Sequence, residues 1–306
     1  MTIDILAVGH TAFDYIMQVE DFPSPNSSVK VEKLENLHGG AAANVAVAVQ
    51  KLGFKSGLVS AVGEDFKKTE YYEKLKKMNI NMEGIIEIEN YKTPRAFVVT
   101  NSKNDQISYF YWGAAEKFED LDPPKEVIKK AKIIHLATGN PKFNIRCGKI
   151  AKKYNKIVSA DPGQDLYLYS SKNLKEMLST CDILFGNHHE IRKIKKKTNE
   201  KDLRKLGPKI VVETYGKEGS IIHSKNMIKI KALGRKVVDP TGAGDSYRAG
   251  FLVSYLKGND LETCGKFATT VASFVIESEG SQTNLPTFED VKYRYEKHWG
   301  KLKFLE

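Results

Sequence analysis

Eight consecutive residues, Asp239-Pro240-Thr241-Gly242-Ala243-Gly244-Asp245-Ser246, carry the densest chemistry in the chain. The apolar pair Val237-Val238 precedes them. Ala249, Leu252, Val253 and Leu256 then recur at i, i+3, i+4 and i+7, and Gly258 follows, the pattern of a helix with a glycine just past its end. A glycine-rich turn therefore feeds a helix N-terminus. With no side chains at Gly242 and Gly244, backbone N–H groups can close on an anion, and the helix dipole adds about half a positive charge there. This is a phosphate cradle, but not a GxxxxGK[ST] loop, and not a dinucleotide fingerprint either, since Tyr247 stands where the third glycine would be. A carboxylate at its lip can accept the proton of a substrate hydroxyl as that oxygen attacks phosphorus, while the N–H groups stabilise the transferring group. On residue type alone, Asp245 serves equally well as a first-turn carboxylate worth ~0.5–2 kcal/mol to the helix.

Other clusters stand at a distance from this one. Gly39-Gly40-Ala41-Ala42-Ala43-Asn44 leads to Leu52-Gly53, Asn187-His188-His189-Glu190 has an Asn-x-x-Glu spacing, and Thr214-Tyr215-Gly216-Lys217-Glu218-Gly219 is a second glycine-bearing turn. Together these motifs resemble the signatures of the ribokinase-like (PfkB) family of sugar and nucleoside kinases, in the family's order and over essentially the whole chain. The resemblance implies that Asp245 is the catalytic base and that Gly242, Ala243 and Gly244 form the anion hole. It implies that Asn187 and Glu190 orient Mg²⁺ through its waters, which suits a hard cation that keeps much of its hydration. Without the other motifs, the same pair reads as a helix cap with a solvent-facing glutamate. Thr214, Gly216 and Gly219 would belong to the ATP loop. Asp14, Gly40 and Asn44 would hold substrate hydroxyls at the carboxyl ends of the strands, where open α/β sheets bind ligands. Asp239, Thr241 and Asn284 match positions of a monovalent-cation (K⁺) site in some members, or else make ordinary loop hydrogen bonds. Pro240 departs from the family's usual threonine. His188 and His189 invite a transition-metal reading, but neighbouring helical positions point ~100° apart, which makes both surface residues.

The stretches Tyr111-Trp112-Gly113-Ala114-Ala115, Asp161-Pro162-Gly163-Gln164-Asp165, Ser246-Tyr247-Arg248-Ala249-Gly250 and Gly280-Ser281-Gln282-Thr283-Asn284 look closer to archaeal broad-specificity nucleoside kinases than to ribokinase. The implied reaction is ATP-dependent phosphorylation of the 5′-hydroxyl of ribonucleosides. A kinase of ribose or another sugar is the alternative, and a non-catalytic nucleotide sensor on the same fold is a second. The family resemblance also implies a homodimer formed through a lid.

The elements that must position these residues follow from periodicity. Ile5-Leu6-Ala7-Val8, closed by Gly9, reads as a strand buried on both faces, with a loop after it. Ala42, Val45, Ala46 and Val49 mark a helix with Gly53 just past its end. Further apolar runs at 58–62, 133–136, 157–160, 183–185 and 210–212, mostly separated by stretches compatible with helix, predict βαβ units and a doubly wound, mainly parallel α/β sheet. Residues 13–37 lack a helical period, and 95–100 and 106–111 flank the turn-rich Asn101-Ser102-Lys103-Asn104-Asp105. Segments 13–37 and 91–115 are therefore expected to form a small β lid inserted in a single domain over 1–306. Tyr109 to Trp112 would place aromatics on both faces of the lid, for core packing, a dimer contact or stacking on a planar substrate.

Composition bounds the rest. The chain has 306 residues, 41% hydrophobic and 28% charged, enough for a substantial core and unlike a disordered or coiled-coil protein. Its net charge of +10 favours acidic partners, phosphates as readily as nucleic acid. Lys193, Lys195, Lys196 and Lys197 lack aromatic interleaving and read as a solvated helix face, so no nucleic-acid partner is expected. The start Met1-Thr2-Ile3-Asp4-Ile5 lacks a basic and then apolar leader, and no apolar run approaches the ~20 residues of a membrane span. Cys147, Cys181 and Cys264 are odd in number and far apart, which fits a reducing cytoplasm better than a disulfide framework. Asn26-Ser27-Ser28, a sequon by pattern, is expected to be only a turn.

Overall fold

The computed structural model describes residues 2–103 and 105–304. Met1, and Asn104 in the expected hairpin turn, lie outside the described residues. In chain order the strands are β1 (Ile3–Val8), β2 (Ala12–Val19), β3 (Val31–Gly39), β4 (Ser56–Gly63), β5 (Asn81–Ile88), β6 (Arg95–Thr100), β7 (Gln106–Tyr111), β8 (Ala131–Leu136), β9 (Ile157–Ala160), β10 (Ile183–Asn187), β11 (Ile210–Thr214), β12 (Ser220–His223) and β13 (Met227–Ile230). The helices are α1 (Ala41–Lys51), α2 (Glu70–Lys77), α3 (Lys125–Lys130), α4 (Pro141–Lys153), α5 (Ser171–Thr180), α6 (His188–Thr198), α7 (Ala243–Leu256), α8 (Leu261–Val275) and α9 (Phe288–Trp299).

Nine strands form one sheet in the order β13-β12-β11-β10-β9-β8-β1-β4-β5. From β11 to β5 every pairing is parallel, and only the β11-β12-β13 edge is antiparallel. Every residue of β4 and nearly every residue of β1 is buried, as strands covered by helices on both faces must be. One apolar cluster joins the sheet to α1, α7, α8 and α9, and a second joins its other face to α3, α4, α5 and α6. Chain order reverses at β1, which lies between β4 and β8, so the carboxyl ends there open a crevice at a topological switch point.

A second sheet, β3-β2-β6-β7, stands at that crevice. No long loop follows Gly9: the chain re-enters a strand at Ala12, so β2 springs almost directly from the end of β1. The β6–β7 turn is closed by Asn101, whose Oδ1 accepts from the N–H groups of Lys103 and Asp105 at 3.0 and 2.9 Å. Asn26 sits in a turn at φ 67, with the Ser27 N–H donating to the Ser24 carbonyl.

Three strands escaped the periodicity. β5 mixes Asn81, Glu83, Gly84 and Glu87 with apolar residues because it is an edge strand with one partner, and the β12–β13 hairpin is short and partly charged. Val237-Val238 is exposed coil ahead of α7 rather than core. In the basic cluster, Lys197 departs from a solvated face, since its Nζ donates to the carbonyls of Leu166 and Tyr169 at 2.8 and 2.7 Å and ties α6 to the segment between β9 and α5. Cys147, Cys181 and Cys264 are free and buried. No helix among the described residues is long and apolar enough to cross a membrane.

Candidate active site

A cavity of about 640 Å³ lies between the carboxyl ends of the large sheet and the inner face of the small one. Asp14, Gly40, Asn44, Asn187, Glu190, Thr241, Gly242, Gly244 and Asp245 all line it, drawn from β2, α1, α6 and α7. The two glycine-led helices, α1 and α7, begin here side by side. Gly242 caps α7 in the left-handed region at φ 78, with no side-chain cap, and Asp245 follows in the first turn.

Asp245 does not cap its helix. Its Oδ2 accepts from Asn44 Nδ2 at 2.8 Å, and its Oδ1 lies 3.5 Å from Arg248. Arg248 in turn pairs with Asp161, whose Oδ1 also accepts from the Gly163 N–H at 2.8 Å. A Cβ at Gly244 would meet the Arg248 guanidinium, so a larger residue there would displace the arginine that flanks Asp245. Burial, opposed by the Asn44 hydrogen bond and reinforced by Glu190, pushes the Asp245 carboxyl up to about 7. A base in that range is poised to take a hydroxyl proton near neutral pH.

Asp14 faces the cavity from β2, backed by Gly39, where any Cβ would collide with its carboxylate. Burial, then Asp245, then Asp239 raise its carboxyl to about 7. Asn44 lines the cavity: one amide hydrogen binds Asp245, Oδ1 accepts from Ser281 Oγ at 3.0 Å and Gln282 Nε2 at 2.8 Å, and the second amide hydrogen is left for a ligand. In the cradle, the Ala243 N–H is already engaged by the Pro240 carbonyl at 3.1 Å, while Gly244 and Asp245 precede the first intrahelical bond, Ser246 N–H to Gly242 C=O.

Asn187 caps α6, its Oδ1 accepting from His189 and Glu190 N–H groups at 2.9 Å, and Glu190 Oε2 returns the bond by accepting from the Asn187 N–H at 2.7 Å. Yet Glu190 is not solvent-facing: it lines the cavity, and burial raises its carboxyl against the pull of the Asn187 N–H and Lys193. Thr214 is the register partner of Asn187 on β11, and Gly216 and Gly219 shape the turn after it at φ 56 and 101, outside the cavity lining. Asp239 holds two backbone N–H groups, of Thr241 and Gly280, at 2.9 Å, and Asn284 donates to the Phe274 carbonyl at 2.7 Å, so both make the loop hydrogen bonds that were the alternative to a cation site. His189 is exposed as expected, whereas His188 is half-buried, its ring stacked on Tyr215 at 5.2 Å and 3.8 Å from the ring of His189, which corrects the surface expectation for His188 alone. No metal-holding group of three or more His, Cys, Asp or Glu occurs among the described residues.

Several lining residues had no role assigned from sequence. His10 donates to or accepts from Asp165 at 3.0 Å, both buried, and its ring sits 4.9 and 4.7 Å from Phe110 and Trp112. His10 and Asp161 each stand just past a parallel strand, after Gly9 and Ala160, and that position relative to the strand end was the signal available.

The family model of the pfkB carbohydrate kinases matches residues 2–288. The chain belongs to that family. It is 55% identical over 299 residues to a nucleoside kinase of Methanothermobacter thermautotrophicus, with 97% of each chain covered, and 46% identical to a nucleoside kinase of Methanocaldococcus jannaschii, covering 96% of this chain and 97% of that one. The crystal structure of the M. jannaschii nucleoside kinase superposes with a TM-score of 0.92 at 45% identity, covering 96% of this chain and 98% of the other. An inosine complex of a Burkholderia thailandensis nucleoside kinase shares the fold at a TM-score of 0.90 and 24% identity, covering 98% and 100%. The family accounts for the mainly parallel sheet with its small second sheet, and for a phosphotransferase with a hydroxyl acceptor.

Proposed function

We propose that this pfkB-family kinase transfers the γ-phosphoryl group of ATP to the 5′-hydroxyl of ribonucleosides. The observation that carries the proposal is the pairing of Asp14 and Asp245 in one cavity that continues to an aromatic end at His10, Phe110 and Trp112. Asp14 and Gly40 hold the sugar hydroxyls, Asp245 takes the proton of the attacking one, and the N–H groups opening α7 stabilise the transferring phosphoryl. The aromatic end receives the base, and stacking there tolerates several nucleobases because it is less selective than hydrogen-bond readout. Full-length identity to two archaeal nucleoside kinases supports the same substrate class.

The donor ATP lies toward Asn187, Thr214, Gly216 and Gly219. Asn187 and Glu190 would hold Mg²⁺ through its waters with hard oxygen donors, and the ion, when bound, would offset charge on the phosphates. The monovalent-cation role for Asp239, Thr241 and Asn284 rests on the family resemblance alone. The outer face of the small sheet supports a homodimer: Leu34, Met17, Val99 and Ile107 align across the four strands, with the stacked pair Tyr15 and Phe97 and then Tyr109 beside them. Leu34 and Ile107 are 62% and 37% exposed there, as suits a face awaiting a second copy. Three free, buried cysteines suit a reducing cytoplasm.

The test is ADP production with ATP and Mg²⁺ across adenosine, guanosine, inosine, cytidine, uridine, ribose and fructose. Nucleosides should show the higher kcat/KM, because base binding far from the reacting oxygen raises efficiency. Turnover of free sugars alone would overturn the reading of the aromatic end, and ATP hydrolysis indifferent to acceptor would overturn the kinase reading.

A further inference from the structure

We infer that Gln282 is a positioning residue for phosphoryl transfer: it fixes the Asn44 amide so that Nδ2, and not Oδ1, faces Asp245. The inference rests on the reading of Asp245 as the base. Its ground is a buried hydrogen-bond chain with a forced direction. At one end stands Lys74 on α2, which can only donate, and its Nζ lies 2.9 Å from Gln282 Oε1. That contact commits the Gln282 amide, leaving Nε2 to donate its two hydrogens to Asn44 Oδ1 at 2.8 Å and to the Tyr71 hydroxyl at 2.7 Å. Asn44 is committed in turn, and its Nδ2 donates to Asp245 Oδ2 at 2.8 Å.

At the other end an ionised carboxylate can only accept, so each amide in the chain has one satisfiable orientation. Turning the Asn44 amide over would set Oδ1 against a carboxylate and Nδ2 against the donor Nε2. Ser281 Oγ adds a second donor to Oδ1 at 3.0 Å. The Tyr71 hydroxyl passes its own hydrogen to the Gly39 carbonyl at 2.9 Å, bracing the end of β3 that backs Asp14. Gln282 does not line the cavity; it acts only through Asn44.

The experiment compares wild type with Gln282→Glu, Lys74→Met and Lys74→Arg, measuring kcat, the KM of ATP and of the nucleoside, and Tm. In Gln282→Glu a carboxylate replaces the donor, keeps Lys74 as its ion-pair partner, and draws Asn44 Nδ2 away from Asp245. Its kcat should fall roughly 10-fold or more, with the KM of ATP within about 2-fold and little loss of Tm. Lys74→Met releases the Gln282 amide and should lower kcat by about 3-fold, and Lys74→Arg, still donor-only, should restore it. Unchanged kcat in Gln282→Glu, or activity that tracks Tm with both lysine variants alike, overturns the positioning role. If Gln282→Glu fails to fold, the lysine pair decides. A wild type inactive on every acceptor overturns the Asp245 reading and the positioning role with it, whereas an active wild type with an indifferent Gln282 overturns the second alone.

Discussion

The two sheets that meet at the cavity are built on opposite principles. In the large sheet β1 and β4 are buried on both faces, and the helices that carry Asn44 and Asp245 pack into the same apolar cluster. In the small sheet every residue of β7 is exposed, and one face is left as an apolar band. The groups proposed for phosphoryl transfer are thus anchored in dense packing, which holds an electrostatic site without reorganisation. Asp14, the carboxylate proposed for the acceptor, is delivered by the small sheet as the third residue of β2, which starts three residues beyond Gly9. The proposed reading therefore assigns chemistry and acceptor choice to different structural layers.

Removing the rigid side should cost most. Asp245→Asn keeps the shape and loses the base, and kcat should fall by ~10² or more with ATP binding nearly unchanged, measured by steady-state turnover and by nucleotide titration. Near-wild-type turnover would remove Asp245 as the base.

Striking the other sheet should change a different parameter. Asp14→Asn should raise the acceptor KM by roughly 10-fold with a small change in that of ATP, and equal changes in both would erase the division of labour. The same variant reads the electrostatics. Asp14 has a folded value of about 7 against an ordinary one near 3.8, so the fold binds its proton more tightly than the unfolded chain does. That contribution is fully present below pH ~4 and is lost as pH rises through ~7. Asp14→Asn should therefore melt a few degrees (~2–5 °C) above wild type at pH 8, the difference vanishing near pH 4, as followed by thermal melts across that range. An advantage that persists at pH 4 would point to packing rather than charge.

The outer face of the small sheet should matter least to the chemistry. Leu34→Lys with Ile107→Lys should convert a dimer to a monomer in light scattering, with kcat changed little because neither residue lines the cavity. A mass unaffected by the pair would leave that face without a partner.

Much of the large sheet was legible because strands covered on both faces write themselves as continuous apolar runs, and because a glycine-led helix start has a local pattern. β5, β12 and β13 were not, since an edge strand satisfies only one side and carries polar residues that blur any period. Asp245, Asp14, Gly40 and Asn44 could be singled out along the chain, as each belongs to a short motif or follows a strand end. Gln282 and Lys74 could not be given a role, because what makes them matter is contact with Asn44 across 238 positions and with each other across 208.

Sequence alone therefore determined the alternation of strands and helices, the glycine-led turn at 242–244 that opens α7 and the carboxylate in its first turn. All of these are set by interactions within a turn or two of chain. Tertiary structure decided that Asp245 faces Asn44 and Arg248 rather than capping its own helix, and that Glu190 both caps α6 and reaches the cavity. It also decided that two partly buried carboxylates share the cavity. Those outcomes depend on which surfaces the burial of apolar area brings together and on how a low-dielectric site distributes its few donors, and neither is written in local spacing.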